Sequence, residues 1–409
     1  MLNEKEIEVL RELARKYMSY ATLPIQNVKR ALWYSLNRLD MQKPMVLIDQ
    51  IPWNELARKD AFLNCVIKDD YWRMIEDILR TSIYKWEHIP VDMVLTPYIR
   101  MPRPIVNTGY GFDFVVEKKG KDENGVFSQS FTDVLSTEED LARLHPAEIY
   151  CDEEREKELR ELSSMIFDGI APVKFEGTCM HLGIWDWISE AKGVTNCYYD
   201  LVDRPEFMHA IMDKVTGYIE DTIEKLNKIG GFDGSSTICH CSHTFCDDLP
   251  CDSEYNTSDK VWAFGLAQLF SSVSPEVTEE FEVPYMKRIF RHFGAIYYGC
   301  CDRLDDRLDI IDQMPNIRKI SCSPWSKREE FAANLPRKYV MSNKPNPAIL
   351  AGSTFDEQAA RDDIRRTINA AKAHNVPLEM ILKDISTVRE DPSRLWRWAE
   401  IAMEETSKF

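Results

Sequence analysis

Chemistry in this chain gathers where short apolar runs stop. Ala295-Ile296-Tyr297-Tyr298-Gly299-Cys300-Cys301-Asp302 reads as a buried strand ending in two adjacent thiols and a carboxylate. Gly299 gives the backbone freedom to turn sharply there. Two sulfurs beside an acid can hold a soft metal, activate a thiolate or do redox work; the plain alternative is a pair of cysteines filling space. Other predicted strand ends also carry polar residues of the ligand type. They are Asp49 and Gln50, Pro97 and Tyr98, Glu176, His181, His240 and Cys241, Cys322, Asn343 and Lys344, and Lys383 and Asp384. A carboxylate such as Glu176 directly after an apolar strand is costly unless paired or used. An imidazole such as His181 titrates near pH 6.5 and suits acid–base work, or else packs and caps. Lys344 reads as an anion contact or as a turn lysine between prolines, and Trp185 as wall or as ligand stacker.

The elements that must position these residues alternate. Two amphipathic stretches open the chain, about Glu4–Ala14 and Ile25–Leu39. Strands are predicted at Pro44–Trp53, Val91–Leu95, Pro172–Glu176, Phe232–Cys241, Ala295–Cys300, Ile317–Ser321, Lys338–Ser342 and Val376–Leu382. Helical spacing falls between them. Asp203 with Glu206 reads as a capping box ahead of a helix carrying Met208, Ile211, Met212 and Val215, and Thr354 with Glu357 as the cap of Phe355–Ala373. Gly109-Tyr110-Gly111 and the turn Asp122-Glu123-Asn124-Gly125 predict hairpins inserted at about 108–134. About eight strands alternating with helices predict an α/β chain, a (β/α)8 TIM barrel at 44–409 behind a helical extension at 1–43. In such a barrel the strand ends above share one mouth. A doubly wound open sheet is the alternative, but the first strand is followed by no glycine-rich phosphate loop.

The 409 residues carry 68 acids against 51 bases, a formal charge of -17, and no basic block, so phosphate backbones are repelled and nucleic-acid binding is not expected. No apolar run approaches the roughly 18 residues of a membrane span, and the opening Met1-Leu2-Asn3-Glu4-Lys5-Glu6 has no signal-peptide character. A cytoplasmic chain whose 11 cysteines stay reduced is the expectation.

Several blocks, in order, resemble the uroporphyrinogen decarboxylase-like superfamily. They are Ile48-Asp49-Gln50-Ile51-Pro52-Trp53, Gly109-Tyr110-Gly111, Val261-Trp262-Ala263-Phe264 with Ser274-Pro275-Glu276, Tyr298-Gly299-Cys300-Cys301-Asp302, Pro315–Trp325 and Lys344-Pro345-Asn346-Pro347-Ala348. The resemblance implies a barrel and either of two activities. Its decarboxylases carry an arginine-rich loop after the first strand; here that place reads Leu47-Ile48-Asp49-Gln50, without arginine and with an acid. The resemblance therefore implies the corrinoid-dependent methyltransferase branch, of methyltransferase I type. Such an enzyme moves a methyl group from a small O- or N-methylated compound, as in O-demethylation, to cobalamin carried by a partner corrinoid protein. A decarboxylase or lyase acting on a small carboxylate is the alternative. The methyltransferases hold zinc through an H-x-C pattern and a further Cys near the last strand. Here Cys300 matches the first Cys, Tyr298 replaces the His, and Ile381-Leu382-Lys383 offers no Cys. A rearranged zinc site from Cys300, Cys301, His240 and Cys241 is one expectation, and a metal-free pocket the other. Glu176, His181 and Asp49 are the expected catalytic groups. Gln50, Trp53, Tyr98, Trp185, Tyr298, Lys344 and Asn346 are the expected substrate contacts. A homodimer is the family-like expectation for assembly.

Overall fold

The structure, a computed structural model, describes residues 2–120, 128–234, 237–249 and 254–409; the turn expected at Asp122–Gly125 lies outside them. Short runs of apolar residues with both faces covered form the centre. They are β1 (Met45–Ile48), β2 (Ile99–Pro102), β3 (Val173–Glu176), β4 (His181–Leu182), β5 (Trp262–Gly265), β6 (Ala295–Tyr298), β7 (Ile317–Cys322), β8 (Val340–Asn343) and β9 (Leu378–Leu382). Seven of them make one parallel sheet in the order β1-β9-β8-β7-β6-β5-β4, and β2 and β3 form a separate parallel pair. In β6 all four side chains are at most 1% exposed, as expected of a strand covered on both faces. Fully burying such a side chain stabilises by roughly 1.5–3 kcal/mol. A parallel arrangement also sends every strand's carboxyl end to the same edge. That edge gathers the chemistry.

Helices cover the sheet. Among them, α1 (Glu4–Ala21) opens with a complete capping box between Asn3 and Glu6, and α2 (Pro24–Asn37) with Pro24 in its first turn. Both are tied inward: the Trp33 indole N–H donates to the Asp92 carbonyl at 2.8 Å, and Tyr17 Oη lies 3.3 Å from Thr96 Oγ1. The expected insertion exists as the antiparallel pair Val116–Lys119 with Ser128–Phe131, beside a second antiparallel pair, Ile105–Asn107 with Ile149–Cys151. No helix among the described residues is long and apolar enough to cross a membrane.

Four expectations are corrected. Val91–Leu95 is buried but forms no strand, because its N–H groups and that of Thr96 find other partners. Asp92 donates to the Val46 carbonyl, Val94 to His243 Nε2, Leu95 to Gln26 Oε1 and Thr96 to Tyr17 Oη. The second strand starts only at Ile99. Phe232–Cys241 is not one strand either. Phe232 makes an isolated parallel bridge to Thr178, and Ile238–Cys239 folds back antiparallel on Ser242–His243. The helix expected from Asp203 runs Pro205–Lys228 with Arg204 as its N-cap and no side-chain cap bond; in the same way Asp356, not Thr354, caps Glu357–Ala373.

Candidate functional site

At the carboxyl end of β6 the chain must turn at once, and Gly299 does so at φ +88°. A Cβ there would stand 2.6 Å from Leu304 Cδ1 and 3.1 Å from the Ser321 Cβ, so glycine is required by both conformation and space. The turn presents Cys300 and Cys301. After β9 comes Lys383, then Asp384 at φ +56°. His240 sits at φ +54° in the turn of the small hairpin, its ring stacked on Phe264 of β5 with centroids 4.0 Å apart. Non-glycine residues in this region each cost on the order of 1–3 kcal/mol, and such strain clusters at functional sites.

These three ends meet. Lys383 Nζ donates to Cys300 Sγ at 2.9 Å and lies 3.1 Å from His240 Nε2. Cys300 Sγ is 3.7 Å from His240 Nε2 and 3.6 Å from Cys301 Sγ, and the Cys301 thiol donates to Asp384 Oδ2 at 3.1 Å. The contact with Cys301, with His240 and Lys383 outweighing burial, holds the Cys300 thiol well below its ordinary range. The same contact pushes Cys301 up, so it keeps its proton. Burial alone would lower His240, but its bonds to Cys241 and Cys300 raise it to about 9. At neutral pH the cluster is a thiolate held by an imidazolium and an ammonium.

Beneath it lies a fully buried ion pair. Lys319 Nζ contacts Glu379 Oε2 at 2.6 Å, both side chains at 0% exposure. Ser242 Oγ and Ser342 Oγ donate to the same carboxylate at 2.8 and 2.5 Å. Lys344 donates to Ser342 Oγ at 2.5 Å and to Tyr297 Oη. Tyr297 Oη in turn lies 3.6 Å from Cys241 Sγ, which links this network to the site above.

Carboxyl groups flank the other side. Asp302 Oδ1 accepts the Cys300 N–H at 2.6 Å, while its Oδ2 and Glu282 Oε2 have no hydrogen-bond partner among the described residues. Burial raises Asp302 to about 6, and burial with the charges of Asp302 and Cys300 raises Asp186 to about 7. Asp186 and His181 both approach Gly183: a Cβ there would be 3.3 Å from His181 Cε1 and 3.4 Å from Asp186 Oδ2. Burial and the nearby His240 charge lower His181, leaving its ring neutral.

Two cavities adjoin these groups. One of about 410 Å³ is lined by Asp49, Trp53, Tyr98, His240 and Cys241, with Tyr17, Lys85 and Arg100. The other, about 890 Å³, is lined by Glu176 and His181 with Tyr110, Phe112, Phe114 and Trp187. Arg100 joins the two linings, since it ion-pairs with Glu176 and, at 3.1 Å, with Asp233. The structure thus brings Cys300, Cys301, His240 and Cys241 together, and places Asp49, Trp53 and Tyr98 in one cavity and Glu176 and His181 in the other. Gln50 is exposed at φ +47°. Trp185 is fully buried against Phe270 and donates to the Phe281 carbonyl at 3.2 Å. Tyr298 is 1% exposed and contacts Glu282 Oε1 at 3.4 Å. Asn346 is exposed, and its Oδ1 accepts the Ala348 N–H. Gln50, Trp185, Tyr298 and Asn346 line neither cavity, nor does Lys344, which is buried on Tyr297 and Ser342. Asp186, Arg100 and Lys85 were not singled out in the sequence. Asp186 reads as an ordinary acid in the first turn of the helix Ile184–Lys192, and only its tertiary neighbours set it apart.

Zinc is the metal that the resemblance implies. The sulfur and imidazole donors have suitable chemistry. As arranged, however, they do not fit the ion: the Lys383 ammonium lies between Cys300 and His240, and the Cys301 proton points to Asp384. Among the described residues no group of three or more His, Cys, Asp or Glu side chains is placed to hold a metal.

No protein-family model matches this chain, and no curated protein matches it in sequence. Among solved structures it is similar to a methyltransferase from Methanosarcina mazei, at 10% identity and a TM-score of 0.48, over 92% of this chain and 98% of that one.

Proposed function

We propose that this chain is a methyltransferase that passes a methyl group from a small O- or N-methylated compound to the cobalt of a partner corrinoid protein. The observation that carries the reading is the meeting of Cys300, His240 and Lys383 at one edge of a parallel sheet, beside a cavity walled by aromatic rings and His181. The blocks resembling the corrinoid-dependent methyltransferase branch support it. The reading includes a closed (β/α)8 barrel in which β2 and β3 complete the ring between β1 and β4. In that architecture reactive groups sit at the carboxyl ends of strands.

The methyl acceptor, a reduced corrinoid on the partner, supplies the nucleophile. This chain's own task is to orient the donor and ease departure of its leaving group. Tyr110, Phe112, Phe114 and Trp187 cover the body of the donor in the larger cavity. The bond from methyl carbon to oxygen or nitrogen breaks as the new bond to the acceptor forms, and an alkoxide leaving group must take a proton. His181 opens onto the cavity, and Asp186 beside it holds a proton up to about pH 7. Glu176, clamped by Arg100, accepts hydrogen bonds from the donor rather than moving protons.

Lys85 and Arg100 in the smaller cavity are the feature that favours the alternative, a carboxy-lyase acting on a small carboxylate. One experiment separates the two. The purified chain is mixed with a reduced corrinoid protein and a panel of aryl methyl ethers and methylamines. The visible spectrum is followed for methylated corrinoid, and the headspace for carbon dioxide. Methylated corrinoid with at least one donor is the expected result. Carbon dioxide from carboxylates without any corrinoid methylation would replace this reading with the lyase.

A further inference from the structure

The spacing around Cys300 is that of a metal shell. Zinc–sulfur bonds of about 2.3 Å in a tetrahedron put neighbouring sulfurs about 3.8 Å apart, and sulfur and nitrogen slightly closer. Cys300 Sγ lies 3.6 Å from Cys301 Sγ and 3.7 Å from His240 Nε2. Yet the group in contact with both sulfur and imidazole is an amine. Lys383 Nζ stands 2.9 Å from the sulfur and 3.1 Å from the ring nitrogen, hydrogen-bond lengths and not metal-bond lengths.

We propose that Lys383 is a built-in cation that occupies the place of the metal ion, so that Cys300 and His240 form a metal-free site closed to soft divalent ions. Three observations carry this. The Lys383 side chain is only 1% exposed, so it cannot swing into solvent to admit an ion without opening the site. It is the first residue after β9, and the preceding Leu382 is paired with Ile48 of β1, so its backbone starts from the sheet edge. Neither sulfur is free for a metal as it stands: Cys300 accepts from Lys383, and Cys301 keeps its proton, which it donates to Asp384. A dication at the same point would face an ammonium at contact distance. An ammonium also does part of what a metal does here, since it holds a sulfur anion by a charge-assisted hydrogen bond. It differs in presenting no open coordination position to a substrate. The inference concerns the site's occupant and holds whether or not the chain transfers methyl groups.

The test is metal content. The full chain is produced in zinc-supplemented medium, dialysed, and assayed for zinc by mass spectrometry, alongside Lys383→Cys and Cys300→Ser. The wild type is expected to hold far less than one zinc per chain, and Lys383→Cys about one. Cobalt(II) added to Lys383→Cys is expected to give a thiolate charge-transfer band that the wild type lacks. A wild-type chain that holds one zinc, and loses it in Cys300→Ser, overturns the proposal. So does a folded Lys383→Cys that binds neither zinc nor cobalt, because the lysine would then not be what bars the metal. Should Lys383→Cys fail to fold, the wild-type measurement alone still decides.

Discussion

Glu379→Gln removes one charge from the most enclosed ion pair among the described residues. Glu379 and Lys319 are both at 0% exposure and 2.6 Å apart, and Ser242 and Ser342 complete the carboxylate's bonds. The amide keeps the shape of the side chain but must turn an NH₂ toward at least one donor. It also leaves Lys319 and the 2% exposed Lys344 without their counter-charge. Breaking a buried pair by removing one partner costs about 3–5 kcal/mol, and two stranded lysines put the expected loss near the upper end. For 409 residues, an unfolding entropy of about 2.1 cal/mol/K per residue gives roughly 0.9 kcal/mol for each degree. The expected fall in Tm by calorimetry is therefore about 3–6 °C. The sign of the pH dependence follows as well. Burial alone would raise Glu379, but Lys319 and Lys344 hold it below its ordinary 4.5, so its contribution is present above that pH and is lost as pH falls. The variant should accordingly be less sensitive to acid than the wild type. The double variant Lys319→Met with Glu379→Leu should recover part of the loss, because an apolar pair avoids the desolvation of two ions. A single variant that melts within about 1 °C of the wild type would refute the reasoning, since the pair would then carry little of the packing under the site.

Two more predictions follow from local geometry. Gly177 approaches the Gly231 carbonyl where Thr178 bridges Phe232, so a Cβ there collides with backbone; Gly177→Ala should cost about 1–3 kcal/mol in urea unfolding, and an unchanged midpoint would contradict the close approach. Asp186 is raised from its ordinary 3.8 to about 7 by burial and by the charges of Asp302 and Cys300. A raised carboxyl contributes its stability below the unfolded value and loses it as pH rises through the folded one. Stability should therefore decline by about 1–2 kcal/mol between pH 4 and 7 through this group, after allowance for solvent screening. Asp186→Asn should flatten that decline; urea midpoints with an identical pH slope in both proteins would remove Asp186 from the acid cluster.

How much of this was legible beforehand depends on where each group finds its partners. Met45–Ile48 and Ala295–Tyr298 read as strands because their apolar runs are buried on both faces, which local sequence records directly. Val91–Leu95 has the same composition, but side chains of His243 and Gln26, distant in sequence, take its N–H groups, and no local pattern announces that. Trp262–Gly265 is a further strand that the sequence pattern does not mark. In the site, adjacent thiols at a strand end marked Cys300 and Cys301 well. Lys383 is legible as a polar strand end, but its pairing with Cys300 is not, because that depends on β6 and β9 reaching one edge. Arg100 carries no local signal for a similar reason, since its partners Glu176, Asp233 and Thr237 lie on three separate segments.

The claim on which the account rests is that sulfur, imidazole and ammonium converge at one sheet edge, with the lysine between the other two. A crystal structure of the full chain grown with zinc present, with diffraction recorded on both sides of the zinc absorption edge, tests it most directly. The account predicts Lys383 Nζ within hydrogen-bonding distance of both Cys300 Sγ and His240 Nε2, and no anomalous peak between them. An anomalous peak bonded to Cys300 with Lys383 turned away, or Cys300 and His240 facing different spaces, would contradict it.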